Sequence, residues 1–134
     1  MLAGQAQKET TINEALVTID ILLPGSVEGV SSTPPLAPSP GSAWIVASSG
    51  TGAFAGQTGH IAGWTEGGWR FIRPSEGMRL WDRDAHAIRH YSDGWVLVSA
   101  PTLPVGGTTI DVEARACIAA LVSALEENGI ISQP

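Results

Sequence analysis

His86 and His90 stand four residues apart in DRDAHAIRHY, with Asp82 and Asp84 just upstream. On a helix two imidazoles at that spacing share a face, and one aspartate could add a further ligand to a zinc site. The surrounding residues argue against the helix. MRLWD, RDAH and AIRHY read as strand, turn and strand, so solvated turn histidines are expected, with no metal and no cofactor. Paired carboxylates are the next chemistry to weigh. Asp82 with Asp84, or Glu66 with Glu76, could serve a glycosidase, which holds two carboxyls roughly 5 to 10 Å apart across a cleft. These acids fall in expected hairpin turns, where carboxylates accept hydrogen bonds from turn backbone, and that local role is favoured. No Gly-x-Ser-x-Gly elbow supports a nucleophilic serine. The glycines around Gly50 and Gly52 lack the Gly-Lys-Ser/Thr ending of a phosphate loop. The single cysteine, Cys117, lies in the apolar helical run VEARACIAALVSAL and reads as a buried, inert thiol. No catalytic residues are assigned, and the expectation is that the protein is not an enzyme.

The aromatic residues carry more weight. Trp44, Trp64, Trp69, Trp81, Tyr91 and Trp95 all fall between Ala43 and Ser99. An indole ring stacks on the apolar face of a sugar while its N–H reaches a hydroxyl, so exposed tryptophan on a small β module is a plausible glycan platform. With only two phenylalanines in the chain, however, most tryptophans must fill the core. Trp69 with Phe71, and Trp95 with Leu97, are alternate residues on one strand face and read as core. Trp64, Trp81, Tyr91 and Arg79 are the residues expected to face a glycan.

Four segments must position these residues. Residues 1–23 form an anchor or oligomerisation helix, read from about Gln5 to Leu22. Its Ile12, Leu16, Ile19 and Leu23 step by four, three and four, as in a coiled-coil seam. Such a helix is about 26 Å long and marginal alone, so it must pack on its own chain or on copies of itself. Residues 24–42 carry five prolines and read as an extended linker. Residues 43–100 read as a small antiparallel β-meander of about five or six strands. Within them IAGWTEGGWRFI and IRHYSDGWVLV share a pattern of Ile, two residues, an aromatic, an acid-Gly turn, Trp and apolar residues. A duplicated hairpin accounts for it. Residues 101–134 contain a second helix, capped by Thr109 or Asp111 and stopped by Gly129. Its Ala114, Ile118, Leu121 and Leu125 repeat the four-three-four step. The fold class is therefore α+β.

A chain of 134 residues at 43% hydrophobic and 15% charged content suits one packed domain. A net charge of −6 argues against nucleic acid, which needs a basic face. No signal peptide is read at the start and no apolar run approaches a membrane span, so synthesis in the cytoplasm with no membrane partner is expected.

The opening AGQAQKETTINEALVTID resembles the start of a family of uncharacterised proteins encoded by phages, prophages and gene transfer agents. The shared residues are Gln5-Ala6-Gln7-Lys8-Glu9 and Asn13-Glu14-Ala15-Leu16. The likeness continues through the Pro-rich segment, Gly68-Trp69-Arg70-Phe71, Pro74, Gly77, Asp93-Gly94-Trp95-Val96 and Ile110-Asp111-Val112-Glu113-Ala114-Arg115. A position that is often histidine in the family is Ile12 here. The resemblance implies a virion component, a tail fibre, spike or its base, of a sort that is usually homotrimeric and commonly contacts host-surface glycans. It supplies no catalytic residues. The expected partners are further copies of the chain, other virion proteins and host-surface polysaccharide. The expected interface is Ile12, Leu16, Ile19, Leu23, Ile118, Leu121 and Leu125. A small hydrolase of wall or capsule, and a virion assembly factor, are the alternatives.

Overall fold

The computed structural model describes residues 3–132, with side chains from Lys8 onward. Met1, Leu2, Gln133 and Pro134, and the side chains of the motif residues Gln5, Ala6 and Gln7, lie outside the described set. Helix α1 spans Ala3–Leu22 and α2 spans Val112–Glu127. Between them lie eight strands: β1 Ser26–Val27, β2 Val30–Ser31, β3 Ala43–Val46, β4 Ile61–Thr65, β5 Gly68–Ile72, β6 Arg79–Asp82, β7 Ala87–Tyr91 and β8 Trp95–Leu97. The α+β class is as expected.

The strands do not form one meander of five or six. They form two sheets, ordered β1-β6-β7-β8 and β2-β3-β4-β5. Each is a three-stranded antiparallel meander with a two-residue strand added in parallel at its edge. Both edge strands come from the proline-rich segment, which is therefore no plain linker. Pro24 and the Pro34–Pro40 cluster flank Ser26–Ser31, leaving free exactly the N–H and C=O groups that the sheets need. Val27 within it is buried at 1% exposure.

The two sheets repeat one another well beyond the hairpins. Pro38-Ser39-Pro40-Gly41 before β3 matches Pro74-Ser75-Glu76-Gly77 before β6. The Ser42 and Met78 amides each donate to the serine carbonyl three residues back, both at 3.0 Å. Gly41 and Gly77 donate to Trp64 and Tyr91, both at 2.9 Å. At the parallel edge, Ile45 donates to Gly29 at 3.0 Å and Trp81 to Gly25 at 2.8 Å. Ala47 then donates to Ser31 at 2.9 Å, as Arg83 does to Val27 at 3.0 Å. Register follows: Trp44, Val46, Ala62, Trp64 and Trp69 correspond to Leu80, Asp82, Arg89, Tyr91 and Trp95.

Period-2 alternation gives the second sheet two apolar faces. Ala43, Ile45 and Ile61 point to a core shared with Val27, Leu80 and Ile21 of α1, with Ile72 and Trp95 against it. Val46 and Ala62 point the other way and build a second cluster around Phe54, with Trp44, Trp69 and Phe71 packed on it. Phe54 arrives from the Gly-rich loop on a 3-10 turn, Gly52–Phe54, and is 0% exposed. Burying that ring contributes about 2 to 3 kcal/mol and pins a loop that its glycines would leave mobile.

Helix α1 docks by its last turns. Ile21 is buried over β4, at a point where the strand carries Gly63; a Cβ there would lie 2.5 Å from Ile21 Cδ1. Helix α2 stands differently. Asp111 caps it by accepting from Ala114 N–H at 2.8 Å. Gly129 ends it at φ 65°, with Gly129 donating to Glu126 at 2.9 Å and Ile130 to Leu125 at 2.9 Å. None of its residues is buried. The chain leaves the first sheet at Val98 and returns to the same place, where Ser132 donates to Val98 at 2.7 Å and Ala100 to Ser132 at 3.1 Å. The helix is thus an excursion tied at its two ends. Cys117 is accordingly exposed and not buried, because the described residues leave its side of α2 uncovered.

Candidate functional site

Four residues were expected at a glycan surface, and the structure does not bring them together. Arg79 and Trp81 alternate on β6 and share one face of the first sheet with Ile88 and His90, their partners on β7. Tyr91 lies on the opposite face, its ring 5.4 Å from that of Trp95. Trp64 belongs to the other sheet. Trp81 is exposed, as expected, at 36%, but one side of its indole packs on Gly129, leaving no room for a Cβ there, and the facing Ile88 donates to the Gly129 carbonyl at 2.7 Å. Trp81 holds the end of α2 against the sheet.

Sequence reasoning missed the aromatic face that the structure does assemble. Trp44, Trp64 and Trp69 come from β3, β4 and β5 and lie on one side of their sheet. Trp69 is central, 5.7 Å from Trp44 and 5.0 Å from Trp64, with interplanar angles of 72° and 62°. Phe54 braces it from below at 4.9 Å. All three indoles are half-buried. Trp69 and Phe71 do pack on a core cluster, as expected, but Trp69 also forms the middle of this face. The signal was the alternation itself: Trp64 and Trp69 flank a tight Thr65–Gly68 hairpin as a cross-strand pair, and cross-strand pairs share a face.

In the duplicated sheet the same positions hold Leu80, Tyr91 and Trp95; Leu80 is buried in the first core and Trp95 packs against it, while Tyr91 stays half-buried. Trp95 donates its indole N–H to the Gly59 carbonyl at 2.9 Å. Among the described residues Trp44, Trp64 and Trp69 have no hydrogen bond from their indole nitrogens, and no buried side-chain nitrogen or oxygen lacks a partner. The three N–H groups therefore reach solvent.

The carboxylates have mostly local duties. Asp82, 1% exposed, accepts from Asp84 N and Ala85 N at 3.0 Å each and pairs with the Arg89 guanidinium. Glu76 accepts from Asp93 N at 3.3 Å across the second hairpin. Glu66 lines a cleft of about 450 Å³ between α1 and the first hairpin, with Asp20, Ile21, Pro40 and Arg70. His86 sits in the β6–β7 turn at φ 50° and His90 on β7, and among the described residues no three His, Cys, Asp or Glu side chains group as a metal would need.

The helices provide the other candidate surface. At 100° per residue, Val17 and Ile21 of α1 face the sheets, while Ile12, Leu16, Ile19 and Leu23 lie about 150° round the helix. All four are exposed, Leu16 at 54% and Leu23 at 79%. Ile118, Leu121 and Leu125 of α2 are likewise exposed, Leu121 at 60%. No described helix is long and apolar enough to cross a membrane.

These features define a small α+β domain of two duplicated sheets, with an open aromatic face and two uncovered helical seams. The chain belongs to the family described as "Protein of unknown function (DUF2793)", whose model matches residues 12–96. That span runs from the first seam residue of α1 to β8 and takes in both sheets. No curated protein matches the chain.

Proposed function

We propose that the protein is a structural component of a phage-like particle, a tail fibre, spike or its base, which assembles as a homotrimer through its helices and presents the β module outward. The observation that carries this reading is the second apolar face of α1. A helix that is apolar on two sides needs two partners. Its own sheets supply one, at Ile21, and the stripe Ile12–Leu23 awaits another. The stripe has the spacing of a seam that packs against itself, with Lys8, Glu9 and Asp20 the charged residues on its flanks. Helix α2 offers a second seam of the same step. The resemblance to phage and gene-transfer-agent proteins supplies the particle and the threefold number.

Sedimentation equilibrium tests it. The native chain is expected at three times its monomer mass at micromolar concentration, and the pair Leu16→Asp and Ile19→Asp at monomer mass. A native monomer at these concentrations removes the reading. Mass spectrometry of particles pelleted from induced cultures of the source strain tests the location.

A further inference from the structure

We infer that Trp44, Trp64 and Trp69 form a binding face for uncharged pyranose units of a polysaccharide. This inference rests on the reading of the β module as the presented part of an assembly, and it names what that part holds.

The chemistry is that of an indole. Its ring offers a flat apolar surface that matches the C–H face of a pyranose, and its N–H donates to a hydroxyl at the sugar edge. Both halves of that chemistry are present. The three rings are half-buried on one sheet face, so each keeps accessible surface. Among the described residues none accepts from their N–H groups, which reach solvent. The duplicated sheet is an internal control: there the equivalent Trp95 turns to the core and its N–H is taken by Gly59.

Rigidity follows from the backbone. Trp64 donates its amide to Ser42 at 2.9 Å and accepts from Gly41 at 2.9 Å, locking the hairpin to the start of β3. Thr65 Oγ1 donates to the Gly68 carbonyl at 2.8 Å and accepts from Gly67 N at 3.2 Å, fixing the turn between Trp64 and Trp69. Phe54 supports Trp69 from within. A face held this way loses little freedom on binding. Charge selects the class of sugar. A net charge of −6 disfavours polyanionic glycans, and rings that offer only an apolar face and an N–H suit uncharged units.

Saturation-transfer NMR with cellotriose, chitotriose and methyl β-galactoside at millimolar concentration tests the assignment, with hyaluronate as the charged control. Transfer to the ring protons of at least one neutral sugar is expected, and none to hyaluronate. Trp44→Ala and Trp64→Ala should each weaken binding about three- to tenfold, whereas Trp81→Ala should leave it unchanged. Thr65→Ala loosens the hairpin without removing an indole, and is expected to weaken binding while the far-ultraviolet spectrum stays native. Silence from all three neutral sugars overturns the inference, as does binding that survives Trp44→Ala and Trp64→Ala or falls with Trp81→Ala. The mass of each sample is read alongside. An intact oligomer without sugar binding removes the aromatic site alone, and a sugar-binding monomer removes the assembly alone.

Discussion

Trp69 and Trp95 occupy the same position in two copies of one hairpin, yet among the described residues only Trp95 of the two bonds its indole N–H, to Gly59. That bond ties the last strand of one sheet to the loop of the other. Trp95→Phe keeps most of the ring and removes the donor, leaving a carbonyl without its partner. A loss of about 1 kcal/mol in urea unfolding is expected. Trp69→Phe breaks no such bond, so its cost should come only from reduced packing against Phe54 and the neighbouring indoles. Equal losses in the two variants would show that the N–H bond contributes nothing.

Gly63 is the contact point between α1 and the β module. Ile21 occupies the volume that a side chain there would need. Gly63→Ala should cost about 1 to 3 kcal/mol by overpacking, and pairing it with Ile21→Ala should recover part of that loss. A double-mutant cycle on thermal unfolding measures the coupling, and strict additivity would place Ile21 elsewhere.

Much of this architecture was legible in the sequence, for a physical reason in each case. Strands β3 to β8 carry alternating apolar residues bounded by Gly, Asp and Ser turns, and period-2 burial writes itself into that pattern. Helix α2 announces its cap at Asp111 and its stop at Gly129. Ser26–Val27 and Val30–Ser31 were not legible as strands, because two residues have no period and parallel pairing depends on distant partners. The division into two sheets was hidden for the same reason, although the repeated Pro-Ser-x-Gly before β3 and β6 was there to be read. An apolar helical run predicts a core beside it, and Cys117 instead stands on an exposed side of α2. Trp44 is not legible as a site residue, because the alternation of Trp69 with Phe71 points that neighbouring ring to the core.

The duplication sets a charge pair against an apolar pair. Val46 and Ala62 of one sheet correspond to Asp82 and Arg89 of the other, and Val46 and Asp82 are both 1% exposed. Arg89→Ala leaves Asp82 buried with only its two turn amides and should cost about 3 kcal/mol. Asp82→Ala strands those amides as well as the guanidinium and should cost at least as much, about 3 to 5 kcal/mol. The double variant should lose about 2 kcal/mol less than the sum, because neither charge is then left alone. Chemical denaturation of the four proteins gives the coupling, and a value near zero would mean that the pair does not act as one.

Cys117 reports on α2 directly. It lies one turn from both Leu121 and Ala114, on the flank of the exposed stripe, and its thiol is open in the single chain. If α2 seams meet in the assembly, a neighbouring helix screens that flank. Alkylation by a maleimide should then run at the rate of a free thiol in dilute protein and slow as concentration rises into the associated range. Leu121→Asp sits on an exposed helix face, so it should change monomer stability by no more than about 0.5 kcal/mol. It should also hold the thiol at its fast rate at every concentration. A native rate that ignores concentration while the mass triples would assign the assembly to α1 alone and leave α2 outside it.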